Sequence, residues 1–265
     1  LSASLFVSLL FVNSAFLNYY LFTDLPTGYS LIALLPDTPA QLLRTEALAE
    51  ELGLPLYAPE LPMEVVMVVG ASQCWLRRLT PPVLNWTIDF TSPAYQSSFA
   101  QRTVHNDPLA RAIGLHKKSD LRVLDMTAGL GKDALWLARC GAQVTLVERN
   151  PALAYLLSEA VKAIDLPMKV ICMDAKTYLS SLPSSQFDIA YYDPMFTPRT
   201  KTALVKKDMQ ILQALHGEEP PDPELISLAK SLIPKVVVKR AYADPVLLVG
   251  VHHQLKTKVT RFDIY

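Results

Sequence analysis

The sequence predicts an α/β protein in two parts: a small α/β subdomain over residues 29–90, and a larger domain over 91–265 built on a mainly parallel sheet. Three observations predict it. From residue 121 onward, apolar runs of strand length alternate with helical periodicities, the pattern of a parallel sheet joined by right-handed crossovers. A glycine loop, Gly129-Leu130-Gly131, lies between one such strand and the helix that follows. Several strands end on an acid: Asp125, Glu148 and Asp193 each close an apolar run, which gathers carboxylates at the sheet edge where ligands of α/β folds bind.

Composition is compatible with this. At 265 residues, 51% hydrophobic and 19% charged, the chain can bury a sizeable core and is not disordered. The formal net charge is zero, but residues 1–86 hold three basic and seven acidic side chains, so the remainder is mildly basic, which permits a nucleic-acid face without requiring one. Cys74, Cys140 and Cys172 share no C-x-x-C spacing, so neither a disulfide framework nor a zinc site is signalled, and a reducing cytoplasm fits.

Residues 1–28 form an apolar leader, uncharged until Asp24. It approaches membrane-spanning length, but it has no basic flank and is interrupted by Ser and Asn, so no stable membrane association is expected. Whether it is a native segment, an anchor or a mis-extended start stays open, and it carries no weight in the fold argument.

The elements then follow in order. Leu31 to Leu35 reads as a strand; Asp37 or Thr38 caps a helix with apolar positions at Leu42, Leu43, Ala47 and Leu48, stopped by Gly53 and Pro55. Strands follow at Val65 to Val69, Cys74 to Leu79 and Val83 to Phe90, with turns at Gly70 and Pro81-Pro82. Residues 91–120 are polar, then helical from Pro108 to Ile113, with Gly114 as the stop. In the larger domain the strands are Arg122 to Asp125, Val144 to Glu148, Lys169 to Met173, Ile189 to Asp193, Lys235 to Lys239 and Val259 to Tyr265. Helices run from Lys132 to Arg139, from Pro151, whose missing N–H costs nothing at a helix start, and from Thr202 to Leu215. His252-His253 reads as a surface turn, and none of the five histidines has metal-ligand spacing.

Gly129 to Ala134 also satisfies G-x-G-x-x-A, the dinucleotide pattern, so the loop alone does not choose between cofactors. Asp125, four residues before Gly129, turns the balance toward S-adenosyl-L-methionine (SAM), because D-x-x-x-G-x-G is the usual loop for that cofactor. Glu148 suits a ribose in either case, and Asp174 is placed to meet an adenine amine. The plainer readings are a solvated strand end for Glu148-Arg149 and a helix cap for Asp174. The segment Asp193-Pro194-Met195-Phe196 has no counterpart in hydride transfer: it offers a carboxylate, a backbone carbonyl and an aromatic face to a planar base carrying an amine. Asp193 and the Pro194 carbonyl would accept the amine hydrogens, and Phe196 would stack on the base unless it is a core aromatic. The fold class is thus a Rossmann-like class I SAM-dependent methyltransferase sheet with a small N-terminal subdomain.

Six ordered stretches together resemble the small-subunit ribosomal RNA methyltransferase J family: Asp125 to Asp133 (DMTAGLGKD), Leu146 to Pro151 (LVERNP), Tyr192 to Phe196 (YDPMF), Ala203 to Lys207 (ALVKK), Val236 to Arg240 (VVVKR) and Arg261 to Tyr265 (RFDIY). The likeness is sharp over 87–265, looser over 30–86 and absent from the leader. It implies a cytoplasmic enzyme that uses SAM to methylate N2 of one guanosine near the 3′ end of 16S rRNA, in naked rRNA or the small ribosomal subunit. The chemistry itself requires no metal. By the same resemblance the cofactor contacts fall on Lys132, Asp133, Glu148, Arg149, Asp174, Ala175 and Asp193, alongside Asp125, Gly129 and Gly131 of the loop. Where that family carries a basic, glycine-rich segment, this chain has Ser97 to Asp107, and residue roles do not transfer there.

Arg199, Lys201, Lys206 and Lys207 cluster after the DPMF stretch and are candidate phosphate contacts, with Lys239-Arg240 on the same rim and Arg102 and Arg111 as further members; on charge alone they read as a solvated face. Two rival classes remain from sequence: an amino methyltransferase acting on DNA or a protein amide, and a noncatalytic RNA-binding module.

Overall fold

The computed structural model describes residues 32–61, 63–183, 185–194, 207–217 and 220–265. Two sheets organise them. The first has the order β1-β2-β3-β4, with β1 Ala33–Pro36, β2 Val65–Val69, β3 Cys74–Arg78 and β4 Leu84–Trp86. β1 and β2 are parallel, and β3 and β4 are antiparallel additions. All five residues of β2 are buried, as expected of an uninterrupted apolar run in a sheet interior. The crossover from β1 to β2 is α1, Leu42–Leu52, entered through a 3-10 turn at Pro39–Gln41 and ended by Gly53 in the left-handed conformation.

The second sheet has the order β10-β11-β9-β8-β5-β6-β7, with β5 Arg122–Asp125, β6 Gln143–Glu148, β7 Met168–Cys172, β8 Ile189–Tyr192, β9 Val236–Ala241, β10 His253–Lys256 and β11 Thr260–Ile264. β5 through β9 are parallel, whereas β11 and β10 are each antiparallel to their neighbours. The chain returns to the sheet centre after β7 to lay β8 against the other side of β5. The strand order therefore reverses at β5, and a crevice opens at its carboxyl end.

Alternation along the strands sorts the core into two layers. Val123, Ile189, Tyr191 and Val237 face one side, with Leu135 and Leu137 of α4 (Lys132–Arg139), Leu153 and Leu157 of α5 (Pro151–Lys162), and residues of the first sheet. Leu124, Ala190, Tyr192, Val236 and Val238 face the other, with Leu179 of α6 (Ala175–Ser180) and Leu225, Ile226 and Ala229 of α8 (Pro223–Leu232). Between them α7, Lys207–His216, contributes buried Ile211 and Leu215 to the first layer. Short α2, Pro93–Ser97, and α3, Pro108–Ile113, precede β5. Asn150, Asp107 and Asp222 cap their helices through the side chain, each such cap contributing about 1 kcal/mol.

Several expectations are corrected. The predicted strand Val83 to Phe90 is paired only from Leu84 to Trp86; Ile88 and Phe90 are buried as core side chains without ladder bonds. The helix placed from Thr202 is described from Lys207. His252-His253 is not a turn: the His252 N–H donates to the Ile264 carbonyl, and His253 opens edge strand β10. No helix among the described residues is long and apolar enough to cross a membrane; the leader lies outside them.

The C-terminal RFDIY stretch acts as an anchor. Arg261 and Asp263, two residues apart and so on one face of β11, form a buried pair at 2.7 Å, and the Arg261 guanidinium also donates to the carbonyls of Tyr242 and Asp244. The Tyr265 hydroxyl donates to the Leu248 carbonyl and accepts from the Leu248 N–H, tying down the loop after β9. Asp263→Ala leaves a buried guanidinium without its carboxylate and is expected to cost about 3–5 kcal/mol. Urea denaturation checks this, and a loss below about 1 kcal/mol would show that water reaches the pair.

Candidate functional site

A cleft of ≈ 530 Å³ lies at the carboxyl ends of β5, β6 and β8. Among the sequence-predicted cofactor residues, Asp125, Gly129, Lys132, Asp133, Glu148, Arg149, Asp174, Ala175 and Asp193 all line it, as do Pro194 and Lys239. Gly131 does not line the cleft. It begins α4 at φ +70°, and a Cβ there would lie 2.7 Å from the Phe90 ring and 2.8 Å from Leu157, so its missing side chain serves packing behind the loop.

Each acid in the cleft is held differently. Glu148, 4% exposed, accepts the N–H of Asn150 at 2.8 Å and that of Gly129 at 3.2 Å, which ties the glycine loop to the end of β6. His216, at the end of α7, places Nε2 3.6 Å from the same carboxylate, and Leu212 one turn earlier lies over Gly129. Asp174 caps α6, accepting from the Thr177 N–H at 2.9 Å; it therefore does what the plainer reading expected while still lining the cleft. Asp125, 2% exposed, accepts from the Thr127 N–H, and burial pushes its carboxyl up to about 8.

Asp133 and Asp193 share one lysine. Lys239 Nζ donates to Asp133 Oδ2 at 2.9 Å and to Asp193 Oδ2 at 2.8 Å, the Tyr191 hydroxyl donates to Asp133 Oδ2 at 2.7 Å, and the Asp193 N–H donates to Thr127 Oγ1. Burial raises the Asp193 carboxyl, against the pull of Lys239 and with the push of Asp133. Burial acts on Asp133 too, but Lys239 and Tyr191 outweigh it and hold that group low. Burial would lower the Lys239 ammonium; the two carboxylates overcome it and keep it charged.

This geometry corrects the placement of Lys239 and Arg240 on an RNA-facing rim. Lys239 follows Val237 on the Tyr191 side of the sheet and is committed to two carboxylates. Arg240 points to the opposite side, is 5% exposed and pairs with Asp244 at 3.2 Å. Arg102 is likewise engaged, paired with Asp107 at 2.8 Å and lying 4.4 Å over the Trp136 ring. Lys132 pairs with Asp208 of α7. Phe196, Arg199, Lys201 and Lys206 lie outside the described residues, as does the Lys207 side chain. Sequence reasoning missed His216, Thr127 and Tyr191; counting two residues on from the register pair Tyr191 and Val237 puts Asp193 beside Lys239.

The cleft suits a ligand that is cationic at one end and carries a ribose. It offers buried carboxylates, a backbone loop that carries no side chain at Gly129, and an acid at the end of β6, a place that suits ribose hydroxyls. Among the described residues no group of three or more His, Cys, Asp or Glu is arranged to hold a metal.

Comparison with known proteins agrees. A family model described as "Putative SAM-dependent methyltransferase" matches residues 48–265. The ribosomal RNA small subunit methyltransferase J of Thioalkalivibrio sulfidiphilus is 35% identical over 235 residues, covering 84% of this chain and 92% of the relative. That of Coxiella burnetii is 34% identical over 254 residues, covering 88% and 96%. This chain belongs to the ribosomal RNA small subunit methyltransferase J family. A solved SAM-dependent methyltransferase from Neisseria gonorrhoeae shares the fold of this family member, with a TM-score of 0.64 at 24% identity over 88% of this chain and 95% of that one. The cofactor of the family, and of this chain, is SAM. When bound it supplies an activated methyl group on a sulfonium.

Asp125 gives a pH signature. Its folded value, about 8, lies above the ordinary 3.8, so the folded chain holds a proton that the unfolded chain releases. The ionised carboxyl thus costs stability that begins above the unfolded value and is complete above about 8. Asp125→Asn is expected to melt close to wild type at pH 4 and clearly above it at pH 8.5 without ligand. Equal melting differences at both pH values would show that Asp125 titrates normally.

Proposed function

We propose that this protein transfers the methyl group of SAM to the exocyclic N2 amine of a guanosine near the 3′ end of 16S rRNA, as naked rRNA or within the small subunit, in the bacterial cytoplasm. The observation that carries this reading is Asp193: its carboxylate closes β8 at the mouth of the cleft, with Oδ2 engaged by Lys239. Oδ1 is the acceptor we assign to one amine hydrogen, and the Pro194 carbonyl takes the other.

The guanine amine is a weak nucleophile because its lone pair is delocalised into the ring. An acidic acceptor counters the positive charge that grows on nitrogen as the bond to the methyl carbon forms and the carbon–sulfur bond breaks, its electron pair passing to sulfur. The amine then gives up one proton, by way of Asp193, to water. Placement in line accounts for most of the remaining rate. Phe196 is proposed to stack on the extruded base, and Arg199, Lys201, Lys206 and Lys207 to hold phosphates beside it. Asp125, Gly129, Lys132, Asp133, Glu148, Arg149, Asp174 and Ala175 are the proposed cofactor contacts. The names of the relatives support the rRNA substrate class, the DPMF stretch supports an exocyclic amine as the acceptor, and the resemblance to the methyltransferase J family supports N2 of guanosine.

The test is transfer of labelled methyl from SAM to naked 16S rRNA, small subunits, DNA and protein in parallel, with the modified nucleoside identified by mass spectrometry. N2-methylguanosine in rRNA or subunits is expected; label confined to DNA or protein would overturn the assignment. Asp193→Ala is expected to keep the fold and to lower kcat by about 1000-fold, the size of losing an electrostatic contact used in the transition state. Near-wild-type turnover in that variant would remove Asp193 from the chemistry.

A further inference from the structure

We infer that Lys239 is a positioning residue for methyl transfer: by bridging Asp133 of α4 and Asp193 at the end of β8, it holds Asp193 ionised and oriented toward the amine. This rests on the proposed function for the identity of the substrate, but not for the electrostatics.

The argument is geometric. β8 and β9 pair with Tyr191 opposite Val237 and Tyr192 opposite Val238, so the next step along the sheet sets Asp193 beside Lys239. Side chains two apart share a face, and α4 lies on that same face with Asp133 in its first turn. One ammonium therefore meets both carboxylates at 2.8 and 2.9 Å. The Tyr191 hydroxyl fixes Asp133 from a third side. Among the described residues, the charged and titratable groups that act on Asp193 are Lys239, Asp133, Asp125 and Tyr191, and of these four Lys239 is the cation.

Three acids thus depend on one lysine, with Arg102 acting on Asp133 at longer range. Removing the ammonium leaves carboxylates facing one another in a partly buried cleft, and like charges so placed take up a proton. A protonated Asp193 no longer opposes the charge developing on the amine nitrogen. Its side chain is also freed to rotate. A phosphate-binding lysine would behave differently, changing RNA affinity and salt dependence while leaving kcat alone.

The experiment uses the full chain with Lys239→Met, Lys239→Arg and Asp133→Asn. Two readouts are taken: carboxyl carbon NMR titration of Asp193 with SAM bound, and the pH dependence of kcat and KM on small subunits. In Lys239→Met the Asp193 titration is expected to move to higher pH. Its kcat at pH 7 should fall about 100-fold, with partial recovery at pH 9 and a KM for RNA changed by less than about threefold. Lys239→Arg should keep the wild-type titration. Asp133→Asn should move Asp193 the other way, to lower pH, which decides the matter if Lys239→Met does not fold. An unmoved Asp193 titration in the variants that fold overturns the inference, as does a loss confined to KM. If wild type labels no RNA, the substrate reading fails, while the Asp193 titration still decides the role of Lys239.

Discussion

The constraint on which this structure turns is the concentration of acids at one sheet edge. A parallel sheet whose order reverses at β5 brings the ends of β5, β6 and β8 together, and here they carry Asp125, Glu148 and Asp193, with Asp133 contributed by α4. Each carboxylate removed from water must be stabilised. Glu148 is satisfied by backbone N–H groups, Asp133 and Asp193 by a shared lysine, and Asp125 by holding its proton to about 8. An edge arranged in this way attracts cationic ligands, and a sulfonium with an adjoining ammonium is one.

The glycine loop, α7 and the first sheet all serve that edge. Gly129 must turn so that its N–H reaches Glu148, and Gly131 must lack a side chain so that α4 can start against Phe90 and Leu157. α7, which follows the stretch containing Phe196 in sequence, meets the cleft at three heights: Asp208 on Lys132 of α4, Leu212 over Gly129 of the loop, and His216 beside Glu148 of β6. From behind, Arg78 of β3 donates to Gln210 of the same helix at 3.2 Å. α7 is thus fixed from both the cleft and the first sheet.

Much of this was legible in the sequence because it is local. A strand that ends on an acid, followed by glycines and a helix start, reads the same in one dimension as in three, and β5, α4 and the beginning of α5 fall where periodicity and capping placed them. The residues expected at the cofactor converge on one cleft because parallel strands put their carboxyl ends on one side. What escaped was non-local or weakly patterned. Lys239 and Arg240 look alike in sequence, yet the period of two sends one into the site and the other into a buried pair with Asp244. β10, His-Gln-Leu-Lys, is polar and short, as edge strands are, and gave no apolar alternation to read. The antiparallel direction of β11 depends on its pairing with β9 and β10, which no single strand encodes.

The most direct measurement of the central claim, that this acid-lined cleft is a SAM site, is calorimetric titration of the full chain with SAM and, separately, with NAD. One SAM per chain is predicted, with affinity reduced about tenfold or more in Glu148→Ala and no heat from NAD, since each tenfold is about 1.4 kcal/mol of lost contact. Binding of NAD without SAM, or SAM affinity unchanged in Glu148→Ala, would contradict it.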